Sequence, residues 1–180
     1  TGGLVAQQWD TNNPNRTEAI PIVSHWVSAP KANNKKLFST FARTIPGDYA
    51  QADKVVALIK QFNYSRVAVM YLSDGEDWAK HVVAAFSAVG VQAQTVKFDY
   101  STNEDIDVSV KAVASFGLNI IICATWMALV PVIAASAEKY GLLTGSKTWI
   151  FTYMGDFPKP QTFLGYPDVT TKLFHGALAI

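Results

Sequence analysis

Apolar and polar positions fall into a regular rhythm along most of this chain. "RVAVMYL" (Arg66 to Leu72), "VQAQTVKF" (Val91 to Phe98), "LNIIICAT" (Leu118 to Thr125) and "KTWIFTYM" (Lys147 to Met154) are short runs suited to strands. Between them lie "EDWAKHVVAAFSAVG", "NEDIDVSVKAVASFG" and "MALVPVIAASAEKYG", which carry a helical period and close on Gly90, Gly117 and Gly141. Thr102 or Asn103 is placed to cap the second of these helices. The third strand is apolar nearly throughout and is expected to be buried on both faces. Upstream, residues 20 to 24 ("IPIVS") predict a short buried strand, and Leu37 to Thr44 predicts an extended piece. From Tyr49 to about Gln61, Ala52, Val55, Val56, Ile59 and Phe62 line one helical stripe, with Asp48 placed as N-cap.

Strand–helix–strand repetition with short connections predicts an α/β protein whose parallel sheet carries helices on both faces. Such sheets bind ligands beyond the C-terminal ends of their strands, at the point where strand order switches. The loops of interest are therefore Ser73 to Asp77, Asp99 to Asn103, Thr125 to Met127 and Tyr153 to Asp156. The following "DFPKPQTFLGYPDVTTK" is Pro-rich and aperiodic, and predicts a long surface connection.

Composition narrows the class. With 49% apolar and 16% charged residues among 180, the chain is globular rather than disordered. The net charge is +1 and the basic residues are scattered, which excludes a nucleic-acid footprint. The uncharged run from Ile120 to Ala137 is long enough to cross a membrane. Thr125 and Pro131 interrupt it, however, and its β-branched start gives way to an Ala-rich end, so a buried strand and then a helix are expected. The lone Cys123 lies inside that strand and reads as a small buried hydrophobe. The opening "TGGLVAQQ" and the closing apolar "LFHGALAI" read as the cut ends of a fragment.

Enzyme signatures are missing. There is no glycine-rich phosphate loop, no His-Glu-x-x-His and no Cys-x-x-Cys, and His25, His81 and His175 have no metal-ligand spacing. Asp99 to Asp107 ("DYSTNEDID") imitates a calcium loop but lacks the sixth-position glycine and the twelfth-position acid. It reads as a solvated loop with a helix cap. "SDGED" (Ser73 to Asp77) concentrates acids at a strand's C-terminal end, where they suit either a first helical turn or a ligand edge. His25, Trp26 and Ser28 follow the first strand, Trp126 the strand from Leu118, and Tyr153 the strand from Lys147. Aromatic and hydroxyl groups gathered on one edge point to a binding site for a small ligand. Two glycosylation sequons, Asn15-Arg-Thr17 and Asn63-Tyr-Ser65, lean weakly towards an extracellular setting.

From Ile20 to Asp156 the chain resembles the ligand-binding region of receptors with the type I periplasmic-binding-protein fold. That family includes bacterial branched-chain amino-acid binding proteins, natriuretic peptide receptors and metabotropic glutamate receptors. "AIPIVSHWVSAP", "KKLFSTFARTIPGD", "QADKVVALIKQFNYSRVAVMY", "ASFGLNIIICAT" and "AASAEKYGLLTGSKTWIFT" occur in the family's order. The resemblance implies two α/β lobes: 1–62 as a truncated lobe one with the crossover helix, 63–157 as a nearly complete lobe two, and 158–180 as a connection and strand returning to lobe one. It also implies a ligand-binding, non-catalytic sensor domain without a cofactor, signalling by cleft closure. The expected partners are a small molecule and a second ectodomain, as homodimer or heterodimer, within a membrane-anchored parent at the extracellular face. A periplasmic solute-binding protein for amino acids or related solutes is the alternative.

By the same resemblance Ser28 matches a ligand-contacting hydroxyl and Asp48 the acid that holds a ligand amino group. Trp26 stands where the family often has a small polar contact, and Trp126 where a ligand-facing loop begins. Two departures bear on the ligand. Asp74 replaces the tyrosine that often covers it, and Met154 stands where amino-acid receptors commonly carry an acid. An amino acid as ligand therefore does not follow from the resemblance.

Overall fold

The computed structural model describes residues 21–25, 27–152 and 167–179. The chain divides into two compact units, Thr1–Asp53 and Lys54–Ile180. In the first, β1 (Ile22–Ser24) pairs in parallel with β2 (Phe41–Arg43), Ile22 opposite Phe41 and Ser24 opposite Arg43. Ala32, Phe38 and Phe41 form its small core, with Ile22 and Val27 packed against them. Only the end of the expected Leu37–Thr44 extension is strand. Leu37 and Phe38 instead turn, both donating their amides to Asn34 O. The reason is spacing: Phe38 and Phe41 are both buried, edge to face at 6.4 Å, and a flat strand would send residues three apart to opposite faces.

Helix α1 (Asp48–Gln61) crosses the boundary between the units, with Ala52, Val55 and Ile59 fully buried along its stripe. Its first residue is Asp48 itself, so this carboxylate sits in the opening turn, favoured by the helix's positive end, and Gly47 takes the position before it.

The second unit is built on a parallel sheet of β3 (Arg66–Leu72), β4 (Gln92–Phe98), β5 (Ile120–Ala124), β6 (Thr148–Thr152) and β7 (Leu178–Ala179). Their spatial order is β4-β3-β5-β6-β7. Register runs unbroken from Arg66 opposite Gln92 to Leu72 opposite Phe98 on one side of β3, while Ala68 to Tyr71 face Ile121 to Ala124 on the other. All five residues of β5 are buried, as its apolar run requires of a strand covered on both faces.

The crossovers are α2 (Glu76–Ala88), α3 (Asn103–Ser115) and α4 (Val130–Lys139), followed by α5 (Pro167–Phe174) before β7. Ile106 and Val110 of α3, Ile133 and Ala137 of α4 and Leu173 of α5 join Met70, Cys123 and Phe151 in one core. The alternate strand residues Val67, Val69, Ile122 and Ile150 are equally buried, and α2 packs against β3 and β4. Thr102 caps α3 through a reciprocal pair: its hydroxyl accepts from Asp105 N, and Asp105 Oδ2 accepts from Thr102 N. Gly90, Gly117 and Gly141 stop their helices at φ between 66° and 80°, where a side chain would be strained.

The strand expected to return the chain to lobe one does something else. Leu178–Ala179 pairs in parallel with Ile150–Phe151 and completes the sheet of the second unit. The unpaired edge of β6 accepts it through backbone hydrogen bonding, and Leu178 itself stays exposed. Within the stretch read as an aperiodic connection, residues 167–174 are helical, with Thr170 and Leu173 buried.

One polar tie between helices carries a pH dependence. Asp107 on α3 accepts from Tyr140 Oη at 2.6 Å and from Lys139 Nζ at 2.9 Å at the end of α4. The Tyr140 hydrogen bond first, then that from Lys139, holds the Asp107 carboxyl below its usual range. A carboxyl lowered on folding contributes stability above its unfolded value, near about pH 4, and loses it as pH falls through the lower folded value. Asp107→Asn is expected to lower the melting temperature at neutral pH and to flatten the loss of stability in the acid range. Parallel acid limbs for the two proteins would show that the tie adds nothing.

Candidate functional site

The first unit brings Ser28, Arg43, Gly47 and Asp48 together, although fifteen or more residues separate Ser28 from the rest. Ser28 O accepts from Asp48 N at 3.0 Å and from Arg43 Nη1 at 2.8 Å. The same guanidinium reaches Ala29 O at 3.3 Å and Asn33 Oδ1 at 2.6 Å. Arg43 leaves the end of β2 and thereby clamps the loop after β1, as its planar array of donors allows. Gly47 is part of the clamp. A Cβ there would lie 2.9 Å from Arg43 Cζ, inside contact distance, so a side chain at 47 would displace the guanidinium from this position.

Asp48 is 7% exposed, and its Oδ1 is buried with no hydrogen-bond partner among the described residues. An unmet buried acceptor costs about 1–3 kcal/mol, more when charged. Such an atom is tolerated where a ligand's N–H or O–H completes it. Ser28 is half-buried beside it. Two residues chosen from sequence thus meet in space. Trp26 lies outside the described residues.

In the second unit the C-terminal strand ends carry the other candidates. After β3, Ser73–Gly75 forms a 3-10 turn with Asp74 exposed. After β5, Thr125 is fully buried and Trp126 is 45% exposed, ahead of a second 3-10 turn, Met127–Leu129. Tyr100, two residues past the end of β4, packs its ring on Trp126 with centroids 5.1 Å apart and planes at 48°. The two rings meet even though β3 lies between their parent strands. Each remains about half exposed, so the pair presents an aromatic surface at the switch in strand order. At the end of β6, Thr152 is buried and its Oγ1 is another acceptor and donor without a partner among the described residues. Tyr153 and Met154 follow it, outside the described residues.

Sequence reasoning did not single out Tyr100 as a ligand group. In the sequence the acids of Asp99–Asp107 are the more conspicuous feature of the loop after β4. Two of the acids there are engaged elsewhere: Asp105 in the helix cap and Asp107 with Lys139 and Tyr140. No group of His, Cys, Asp and Glu suited to a metal occurs among the described residues. Cys123 is completely buried, and burial pushes its thiol well above the ordinary range, which leaves it inert as a nucleophile. None of the helices described is long and apolar enough to cross a membrane.

Comparison with known proteins gives two results. Residues 17–179 match the family model described as "Receptor family ligand binding region". Over 70 residues, 39% of this chain, the sequence is 30% identical to taste receptor type 1 member 3 of Mus musculus, and likewise to that of Rattus norvegicus. Each match covers 8% of the relative's own length.

Proposed function

This chain belongs to the receptor family ligand binding region, and from that premise we propose that it is the small-ligand sensor of a cell-surface receptor, signalling when its two lobes close on the ligand. The region binds rather than catalyses. The observation that carries the ligand chemistry is Asp48: a buried carboxylate oxygen without a partner calls for a donor, best a cationic amine. Ser28 beside it adds a hydroxyl. In the second unit the Tyr100–Trp126 surface offers apolar or cation–π contact to a small solute. Binding favours the closed state by the ligand's extra affinity for it. Trp26, Asp74, Tyr153 and Met154 complete the proposed ligand set. The parent is proposed to be membrane-anchored and dimeric, with this region outside the cell. Similarity to taste receptors supports a receptor over a transporter's periplasmic solute-binding protein.

Calorimetric titration of the folded protein with small amines, amino acids and carboxylate anions tests this. Saturable binding is expected for an amine-bearing solute. Asp48→Asn keeps the volume and removes the charge, and should weaken binding about ten- to a hundredfold, as loss of a charge-assisted hydrogen bond does. Trp126→Ala should weaken the same solute. No saturable binding in any class sinks the reading, and equal affinity in Asp48→Asn returns Asp48 to a structural role.

A further inference from the structure

We propose that Asn63 is an N-glycosylation site whose sugar covers an exposed pair of aromatic rings. The inference rests on the extracellular reading above. Asn63 opens the sequon Asn63-Tyr64-Ser65 and is exposed in the turn between α1 and β3. Its φ is 55°, the left-handed conformation that ends a helix, with Asn63 N donating to Lys60 O and Tyr64 N to Ile59 O. Asparagine suits that position for structural reasons alone. Those reasons ask nothing of Ser65, and they do not explain the neighbours of Asn63.

Phe62 is 58% exposed and Tyr64 37%, and their rings stack with centroids 6.0 Å apart on either side of the asparagine. Two large rings left in solvent side by side form an apolar spot next to the asparagine. A sugar on Asn63 lies within reach of both. Next to them, a shallow hollow of about 340 Å³ runs from Asn63–Arg66 to Gly117–Ile120, giving the first sugars a bed.

Placement also favours it. Asn63 precedes β3, whereas Asp74 and Trp126 follow the strands' far ends; the seven residues of β3 hold the two ends roughly 20 Å apart. A glycan here shields the surface without obstructing the proposed ligand edge. In the reaction, Asn63 Nδ2 bonds to C1 of an oligosaccharide carried on a lipid diphosphate. The C1–O bond breaks, the lipid diphosphate leaves with the electron pair, and one Nδ2 proton passes to a base of the transferase. No oxidant or reductant is needed.

The test is peptide mass spectrometry on the complete protein, expressed through the secretory pathway of cells that glycosylate. The Asn63 peptide should carry a glycan whose enzymatic release leaves the amide-to-acid mass increase at that position. Ser65→Ala and Asn63→Gly should each abolish it, and glycine suits the positive φ, so folding is spared. Both variants should bind more apolar dye while keeping ligand affinity. A folded protein that has passed through that pathway with bare Asn63 overturns the site, and unchanged dye binding in both variants overturns the shielding. Glycan present with no ligand bound by any variant would support the site and count against the sensor reading alone.

Discussion

Phe151→Ala is expected to cost about 3–5 kcal/mol, the range for emptying a buried aromatic position. Phe151 is fully buried on β6, with Cys123 of β5 opposite it in register. Its ring lies parallel to that of Trp149 at 5.8 Å and meets Phe174 of α5 edge-on at the same distance. Truncation therefore cuts the link between sheet and terminal helix as well as leaving a void. The neighbours are poorly placed to fill it. Trp149 is held by a hydrogen bond from Nε1 to Leu142 O at 3.0 Å, and Cys123 is small. For a chain of this size the loss corresponds to a melting temperature lower by about 10 °C. Phe151→Leu retains most of the volume and should lose less than about 1.5 kcal/mol. A melting point for Phe151→Ala within two or so degrees of the wild type, about 1 kcal/mol, would mean that the core relaxes around the gap.

The second large effect concerns Arg43. Removing its guanidinium leaves Asn33 Oδ1 and Ala29 O without that donor and frees the loop after β1, at about 2 kcal/mol for the half-buried clamp. Arg43→Lys should not rescue it, because one ammonium cannot span three acceptors in different directions. Gly47→Ala attacks the same contact from the other side by pushing Cζ away. The sharper prediction is non-additivity. In an Arg43→Ala background the cost of Gly47→Ala should largely vanish, since the atom it displaces is gone. Thermal melts of the four proteins give the cycle, and hydrogen exchange at Val27 to Asn33 reports the loop. Strictly additive losses would show that Gly47 matters for backbone reasons alone.

How far the sequence spoke for itself varied with the strength of its period. Arg66–Leu72 was bounded to the residue, and the three glycine-stopped helices emerged where their stripes ran, because local and tertiary preferences agree there. Agreement failed where packing overrode pattern. Phe38 and Phe41 share one small core at a spacing of three, which bent a segment that otherwise reads as extended. Residues 167–174 make only two turns of helix, too short to announce themselves, and depend on packing against α4, to which the exposed Lys172–Glu138 ion pair adds little.

The site followed the same division. Trp126 at a strand's C-terminal end was visible from topology alone. Its contact with Tyr100 depends on how two loops lean across β3, which no linear pattern encodes. The roles of Arg43 and Gly47 became legible only in three dimensions, where Asp48 N and Arg43 share the acceptor Ser28 O.

The strand order also dictates a history. β3 is the first strand of its sheet to be made, yet it ends up with a later strand on each side. As the chain is synthesised, one edge is filled when β4 emerges after a single crossover. The other stays open until β5, across roughly twice as much chain, with a loop-closure penalty larger by about 0.6 kcal/mol. During that interval the unpaired N–H and C=O groups of the largely apolar run Val67 to Tyr71 are a template for any passing strand. The outer strand of the nascent pair carries exposed Gln92, Gln94, Thr95 and Lys97, which discourage pairing on that flank. The vulnerable moment in the life of this domain is thus the synthesis of α3, while β3 waits for its second neighbour.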